Sequence, residues 1–239
     1  MNLFCLPYAG GSKSAYHRYV QQAPDGLNVI LPELPGRGIR YSEPLLTDLN
    51  AMVDDIMKQI RADLYLPYAL YGHSMGTLLC YLLAKKIMKE GLNMPLHLFL
   101  TGGGAPSTKE NRRILHSMSQ ADLVEKLKEM GGMPDIVLND HKLLDLFLPI
   151  IRADFKATES FVYGGPAGLN IPITAITGDQ ENISDERVAA WQLETSARLD
   201  IKKLPGDHFF IFNYGAEILE MIARALCMPS AVPGATQNY

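Results

Sequence analysis

Short apolar segments alternate with longer amphipathic segments along most of the chain. Segments that favour extended structure, most of them bounded by Pro or Gly, predict six strands at residues 3–6, 28–31, 68–71, 96–101, 171–178 and 199–204. Apolar residues at helical spacing predict helices at residues 14–22, 48–60, 75–89, 120–130, 141–163 and 214–226. Because strands that alternate with helices form parallel sheets covered on both faces, the pattern predicts an α/β fold.

The segment between the fourth and fifth predicted strands has helical patterns and no strand signal, and it is too long for a simple crossover. We therefore predict an inserted helical lid, at about residues 107–165, over the carboxyl edge of the sheet. The remainder of residues 1–227 is expected to form one domain with this insertion. Residues 228–239 contain two prolines and small polar residues, so a flexible tail is expected there.

Composition and charge narrow the class of partner. Of the 239 residues, 47% are hydrophobic, which is ample for a core. The formal net charge of −4 and the scattered basic residues offer no field for phosphates, which argues against nucleic acid as a partner.

The three cysteines are odd in number and far apart, so we expect free thiols in a reducing compartment. No signal peptide and no apolar run of membrane-spanning length are visible, and a monomeric cytoplasmic protein is expected.

The first candidate catalytic motif is GHSMG at residues 72–76, between a predicted strand and a predicted helix. Gly-x-Ser-x-Gly in this context is the nucleophile-elbow signature. Side chains two residues before and after the serine would collide with the neighbouring strand and helix, and glycine removes that clash. The pattern therefore predicts Ser74 as a nucleophile held at the carboxyl end of a strand.

A serine nucleophile needs a base, which follows a later strand in this arrangement. Among the six histidines, only His208 follows the fifth predicted strand, in a loop just past the sixth. His73 adjoins the serine, but side chains next to the nucleophile of an elbow point apart, so a structural role is expected for it. No histidine pair has metal-ligand spacing with acids, and neither a metal nor a cofactor is expected.

The acid that orients the base has two candidates in the loop after the fifth strand, Asp179 and Glu181. Position favours Glu181, the third residue after Gly178, whereas residue type favours aspartate and hence Asp179. Both are kept, with a lean to Glu181. Asp185 and Glu186 are expected in the first turn of the following helix.

An oxyanion formed during acyl transfer needs two backbone N–H donors. The N–H of Met75, at the start of the helix after Ser74, is the first candidate. The second donor is expected in the loop after the first strand, where two glycines follow Ala9, and Ala9 is the candidate.

Five motifs together resemble the signature set of type II thioesterases, which are α/β-hydrolases that accompany nonribosomal peptide and polyketide synthases. The motifs, in chain order, are residues 6–12 (LPYAGGS), 34–38 (LPGRG), 72–76 (GHSMG), 148–155 (LPIIRADF) and 205–210 (PGDHFF). The resemblance covers about residues 2–226.

This resemblance implies hydrolysis of acyl or aminoacyl groups from the phosphopantetheine thiol of carrier proteins, which clears misprimed or stalled synthases. It implies a lid at residues 107–165 over an acyl channel and carries over the roles of Ser74, His208, Met75 and Ala9. The family loop usually reads Gly-Asp-x-Asp-Pro, whereas residues 178–182 read GDQEN here, so the family's catalytic aspartate falls on Glu181.

Two other functions are weighed against this one. A general carboxylesterase or acyltransferase of the same fold would carry the same triad. A non-catalytic ligand receptor on a hydrolase scaffold is disfavoured by the Ser74–His208 pair and the glycine loop.

Overall fold

The computed structural model describes residues 1–108, 114–132, 135–138 and 140–227. Within these residues, six strands form one sheet with the order β2-β1-β3-β4-β5-β6, and every pair of neighbours is parallel. The strands are β1 (Asn2–Leu6), β2 (Asn28–Ile30), β3 (Tyr68–His73), β4 (Leu98–Thr101), β5 (Ile173–Gly178) and β6 (Leu199–Leu204). The predicted parallel α/β architecture is confirmed.

The α-helices of the described ranges are α1 (His17–Gln22), α2 (Leu49–Ile60), α3 (Met75–Lys89), α4 (Gln120–Met130), α5 (Asp135–Leu138), α6 (His141–Glu159), α7 (Asp185–Ala189) and α8 (Gly215–Ala225). One buried cluster joins one face of the sheet to α2 and α3, and a second joins the opposite face to α1 and α8. Helices therefore cover both faces, which buries both sides of β3 and positions its carboxyl end for function.

Several predicted boundaries differ from the observed ones. The fourth and fifth strands begin at Leu98 and Ile173, two residues later than predicted, and Pro172 before β5 has no N–H for a ladder hydrogen bond. The predicted first helix begins as a 3₁₀ turn over Lys13–Tyr16, and only then does α1 follow. The predicted helix 141–163 ends at Glu159, and the Tyr163 hydroxyl donates to the buried Glu194 carboxylate, 2.7 Å away.

The chain between β4 and β5 contains α4, α5 and α6, which share a small apolar core of their own. Its members include Leu123, Leu127, Leu144, Leu148 and Ile151. Of the predicted insertion, residues 109–113, 133–134 and 139 lie outside the described residues, as does the predicted tail at 228–239. None of the helices in the described part of the chain is both long and apolar enough to cross a membrane.

His97, which precedes β4, makes stability depend on pH. It is buried, its Nε2 lies 2.8 Å from the Thr174 hydroxyl, and its ring stacks on Phe99. Burial lowers its pKa to about 4. Below pH 6.5 the unfolded chain takes up a proton that the folded chain does not bind, so stability falls as the pH falls.

We expect His97→Gln, which keeps a partner for Thr174 but cannot titrate, to reduce the acid-induced loss of stability. Between pH 7 and pH 4, the unfolding free energy of the variant should fall by about 3 kcal/mol less than that of the wild type. Urea unfolding at the two pH values measures the difference. An equal fall in both proteins would contradict a neutral, buried His97.

Candidate active site

Ser74 occupies the single residue between β3 and α3, with φ 54° and ψ −114°. This backbone conformation is strained for any residue but glycine. A Cβ at Gly72 would overlap the carbonyl oxygen of Gly76, and one at Gly76 would lie 2.8 Å from the carbonyl oxygen of Leu6. The two glycines thus allow strand and helix to approach closely enough to hold the serine in this turn.

A cavity of about 240 Å³ opens beside Ser74 at the carboxyl edge of the sheet. Ser74, His208 and the loop after β1 line one side. Apolar side chains of the α4–α6 segment line much of the rest, namely Leu127, Met130, Val137, Phe147, Ile151 and Phe155. The serine hydroxyl therefore faces a pocket suited to an apolar group.

His208 and Glu181 are brought together by the loops after β6 and β5. The Nδ1 atom of His208 lies 2.6 Å from Oε1 of Glu181, and Oε2 of Glu181 accepts the N–H of Gly178 at 2.6 Å. The Glu181 carboxylate is almost fully buried, whereas His208 is 20% exposed. With Nδ1 facing the carboxylate, Nε2 is the ring nitrogen left for another partner, and His208 lines the cavity together with Ser74.

Asp179 does not contact His208. Its Oδ1 accepts the N–H of Gly206 at 2.9 Å, and this bond braces the loop that carries the histidine. Asp185 and Glu186 lie in the first turn of α7, the place predicted for them, and Asp185 pairs with Lys203 on the surface. Of the predicted acids, the structure places only Glu181 against the imidazole.

The loop after β1 presents its backbone to the cavity. The N–H of Gly11 donates to Tyr8 O at 2.8 Å and closes a tight turn, in which Gly10 has φ 80°. A type II turn requires such a positive φ at its third residue. The N–H of Gly10 donates to Asp154, and the N–H of Ala9 has no acceptor among the described residues. Ala9 therefore has a donor available for a ligand in the cavity.

The N–H of Met75 is the other available donor. Met75 is the first residue of α3, and N–H groups in the first turn of a helix have no partner within the helix. The same helix directs the positive end of its dipole toward the nucleophile. Ala9 and Met75 thus each offer a backbone N–H without an acceptor among the described residues, beside the cavity and beside Ser74 respectively.

His73 is fully buried at the carboxyl end of β3, next to Ser74. Its ring lies against that of His208, with centroids 4.7 Å apart, and its Nδ1 is 3.1 Å from the Thr101 hydroxyl. Burial, and secondarily the proximity of His208, holds the pKa of His73 well below its usual range. A neutral His73 supports the imidazole of His208 without placing a second positive charge beside it. The motif shows that His73 adjoins Ser74, but it carries no signal for this contact across the sheet.

Within the described ranges, no group of three or more His, Cys, Asp or Glu side chains could hold a metal ion.

Known proteins are similar to this chain in both sequence and fold. The thioesterase domain family matches residues 1–226. The gramicidin S biosynthesis protein GrsT of Aneurinibacillus migulanus is 33% identical over 227 residues, which cover 95% of this chain and 89% of that protein.

Two solved structures of proteins from biosynthetic pathways are similar to this chain in fold. ClbQ from the colibactin NRPS/PKS pathway superposes with a TM-score of 0.89 at 29% identity, covering 94% of this chain and 96% of that one. The type II thioesterase BorB from the borrelidin biosynthetic cluster gives a TM-score of 0.86 at 31% identity, covering 94% and 92%. With a family match over nearly the whole length and the α/β-hydrolase fold of these neighbours, the chain belongs to the thioesterase domain family.

Proposed function

We propose that this protein hydrolyses acyl or aminoacyl thioesters carried on the phosphopantetheine arm of carrier proteins, and so clears misprimed or stalled nonribosomal peptide and polyketide synthases. The observation that carries the proposal is the array of Ser74, His208 and Glu181 beside an apolar cavity, in a chain of the thioesterase family. Its relatives include proteins named for gramicidin S biosynthesis and for the colibactin pathway, which supports the assignment to synthases.

In the first half-reaction, Nε2 of His208 takes the proton from the Ser74 hydroxyl as Oγ attacks the thioester carbonyl. A C–O bond forms, and the carbonyl oxygen becomes an oxyanion that accepts the N–H groups of Met75 and Ala9. The tetrahedral intermediate collapses, the C–S bond breaks, and the pantetheine sulfur takes the proton from His208. The product is an acyl ester of Ser74.

In the second half-reaction, His208 takes a proton from a water molecule, whose oxygen attacks the acyl-serine carbonyl. The ester C–O bond then breaks, Ser74 recovers its proton from His208, and the carboxylic acid leaves. Glu181 holds the imidazole in the required tautomer through Nδ1–H and stabilises the imidazolium formed in each half. Because a thiolate leaves more readily than an alkoxide, deacylation demands more of this pair than acylation does.

The same proposal covers the setting of the reaction. The insertion at residues 107–165, whose described part contains α4, α5 and α6, acts as a lid over the acyl group, within one domain that spans residues 1–227. Its described side chains support this, since Phe147 and Phe155 of α6 face the cavity. The enzyme works as a cytoplasmic monomer, where a reducing medium keeps the buried thiols of Cys5 and Cys80 free.

The carrier protein, and not only the thioester, should determine turnover. We expect kcat/KM for an octanoyl-loaded carrier protein to exceed that for p-nitrophenyl octanoate by at least about tenfold, because contacts remote from the reacting carbonyl lower the barrier. Octanoyl-pantetheine without the carrier is the matched control for the thioester alone. Equal or faster ester turnover would support the general carboxylesterase and contradict the proposal.

A further inference from the structure

Two of the sequence motifs meet in a buried ion pair that the mechanism above does not use. Arg37 lies in the loop after β2, and Asp154 lies on α6; their side chains are 2% and 0% exposed. The pair is bidentate, with Nη1 of Arg37 2.7 Å from Oδ2 of Asp154 and Nη2 2.8 Å from Oδ1. Since burying two charges costs as much as their attraction returns, stability alone does not account for the pair.

The other side-chain hydrogen bonds that Arg37 and Asp154 make within the described residues go to the loop that carries Ala9. Oδ2 of Asp154 accepts the N–H of Gly10 at 2.8 Å, and Nη1 of Arg37 donates to Gly11 O at 3.1 Å. A Cβ at Gly10 would lie 2.8 Å from Ile151, so α6 packs directly on this turn. The two residues after Ala9 are thus held by one helix and one loop that are far from them in sequence.

We propose that Arg37 and Asp154 are positioning residues for the oxyanion hole, an inference that rests on the proposed function. By occupying the N–H of Gly10, which belongs to the peptide unit after Ala9, and the carbonyl of Gly11, they hold the turn over residues 8–11 in one orientation. The Ala9 N–H then points into the cavity before substrate arrives, which is the preorganisation that oxyanion stabilisation requires.

The same role explains why the Asp154 carboxylate is paired with a cation. A lone carboxylate one residue from an oxyanion donor would repel the negative charge that develops there. Arg37 cancels that charge while leaving Oδ2 of Asp154 able to accept from Gly10. The helix α6 is therefore part of the wall of the active site.

A pair of double variants separates positioning from structural support. Arg37→Met/Asp154→Asn and Arg37→Met/Asp154→Leu both remove the ion pair with side chains of similar size. Only the asparagine keeps an oxygen that can accept the N–H of Gly10. We expect kcat on octanoyl-carrier protein to fall less than about fivefold in the asparagine variant and about 100-fold in the leucine variant, with KM unchanged in both.

Stability is measured on the same proteins. Arg37→Met alone leaves a buried carboxylate unpaired and should lower the Tm by roughly 10 °C, whereas the doubles should recover most of that loss. Arg37→Met/Asp154→Val supplies a second, smaller apolar replacement, so that the result does not depend on how leucine packs. Arg61→Met/Glu90→Gln, which removes an ion pair at the end of α3 opposite to Ser74, is the control and should keep kcat within about twofold.

The rate at which a fluorophosphonate phosphonylates Ser74 is the second readout, because its phosphoryl oxygen occupies the oxyanion hole as fluoride leaves. The phosphonylation rate should be higher in Arg37→Met/Asp154→Asn than in Arg37→Met/Asp154→Leu. It is measurable even if the wild type fails to hydrolyse the thioester, so failure of the proposed function and failure of this proposal are distinguishable. Equal phosphonylation rates in the asparagine and apolar doubles, whether high or low, would overturn it.

Discussion

Replacing Ser74 by alanine is expected to lower kcat for acyl-carrier protein hydrolysis by at least about 10⁴-fold. The substitution removes the oxygen that forms the acyl-enzyme bond, while the cavity, His208 and the backbone donors remain. Direct attack by water is all that is left, with some help from the oxyanion donors. Steady-state release of free pantetheine thiol measures the effect.

The strained backbone at residue 74 supplies a control for this experiment. Ser74→Ala should unfold at nearly the same temperature as the wild type, because both residues carry the strain of a φ near 54°. Ser74→Gly should be equally inactive and at least as stable as the alanine variant, since glycine adopts this conformation freely. Thioester turnover unchanged in both variants would show that another group performs the chemistry.

Glu181→Gln is expected to lower kcat by about 10³-fold, and Asp179→Asn by no more than about fivefold. Glutamine cannot hold Nδ1 of His208 protonated as a carboxylate does, so the imidazole can present a proton, and not a base, to Ser74. Asparagine at 179 keeps an oxygen for the N–H of Gly206, the contact that the aspartate makes. Each variant differs from the wild type in a single non-hydrogen atom, so changes in packing are small.

The partition between the two half-reactions gives a further check on Glu181. Because the thiolate leaves readily, the glutamine variant should lose more in deacylation than in acylation and accumulate acyl-enzyme. Pre-steady-state quenching measures both rates. A large loss with Asp179→Asn and none with Glu181→Gln would reverse the assignment of the acid.

The sheet and the nucleophile could be predicted from the sequence because their signals are local. Apolar runs between Pro and Gly mark the strands, and the sterics of a one-residue turn demand glycine on both sides of Ser74. The base followed from chain order alone, since His208 is the one histidine beyond the fifth strand. These inferences need no knowledge of how distant segments pack.

The identity of the acid could not be decided from the sequence, because it depends on tertiary contacts. Asp179 and Glu181 lie two residues apart in a loop without periodicity, and either could face the histidine in an extended chain. The loop turns at Gly178, whose N–H binds the Glu181 carboxylate and directs its other oxygen to His208. The glutamate side chain thus joins the two loops, with one carboxylate oxygen on the Gly178 N–H and the other on His208.

Other contacts in the site join residues too distant in sequence for a local pattern to relate them. Arg37 and Asp154 are 117 positions apart, and neither motif that contains them contains its partner. His73 lies under His208 because the loop after β6 reaches back over the end of β3, across β4 and β5. Only the folded chain places these side chains together.

If Ser74 carries the acyl group between carrier protein and water, an acylated Ser74 should accumulate in the variant with slow deacylation. The experiment mixes Glu181→Gln with octanoyl-loaded carrier protein, quenches in acid and measures the intact mass, followed by peptide mapping. The mass should increase by one octanoyl group, located on Ser74, and should not increase when Ser74→Ala is added. Octanoate released at the wild-type rate without acylation of Ser74 would contradict it.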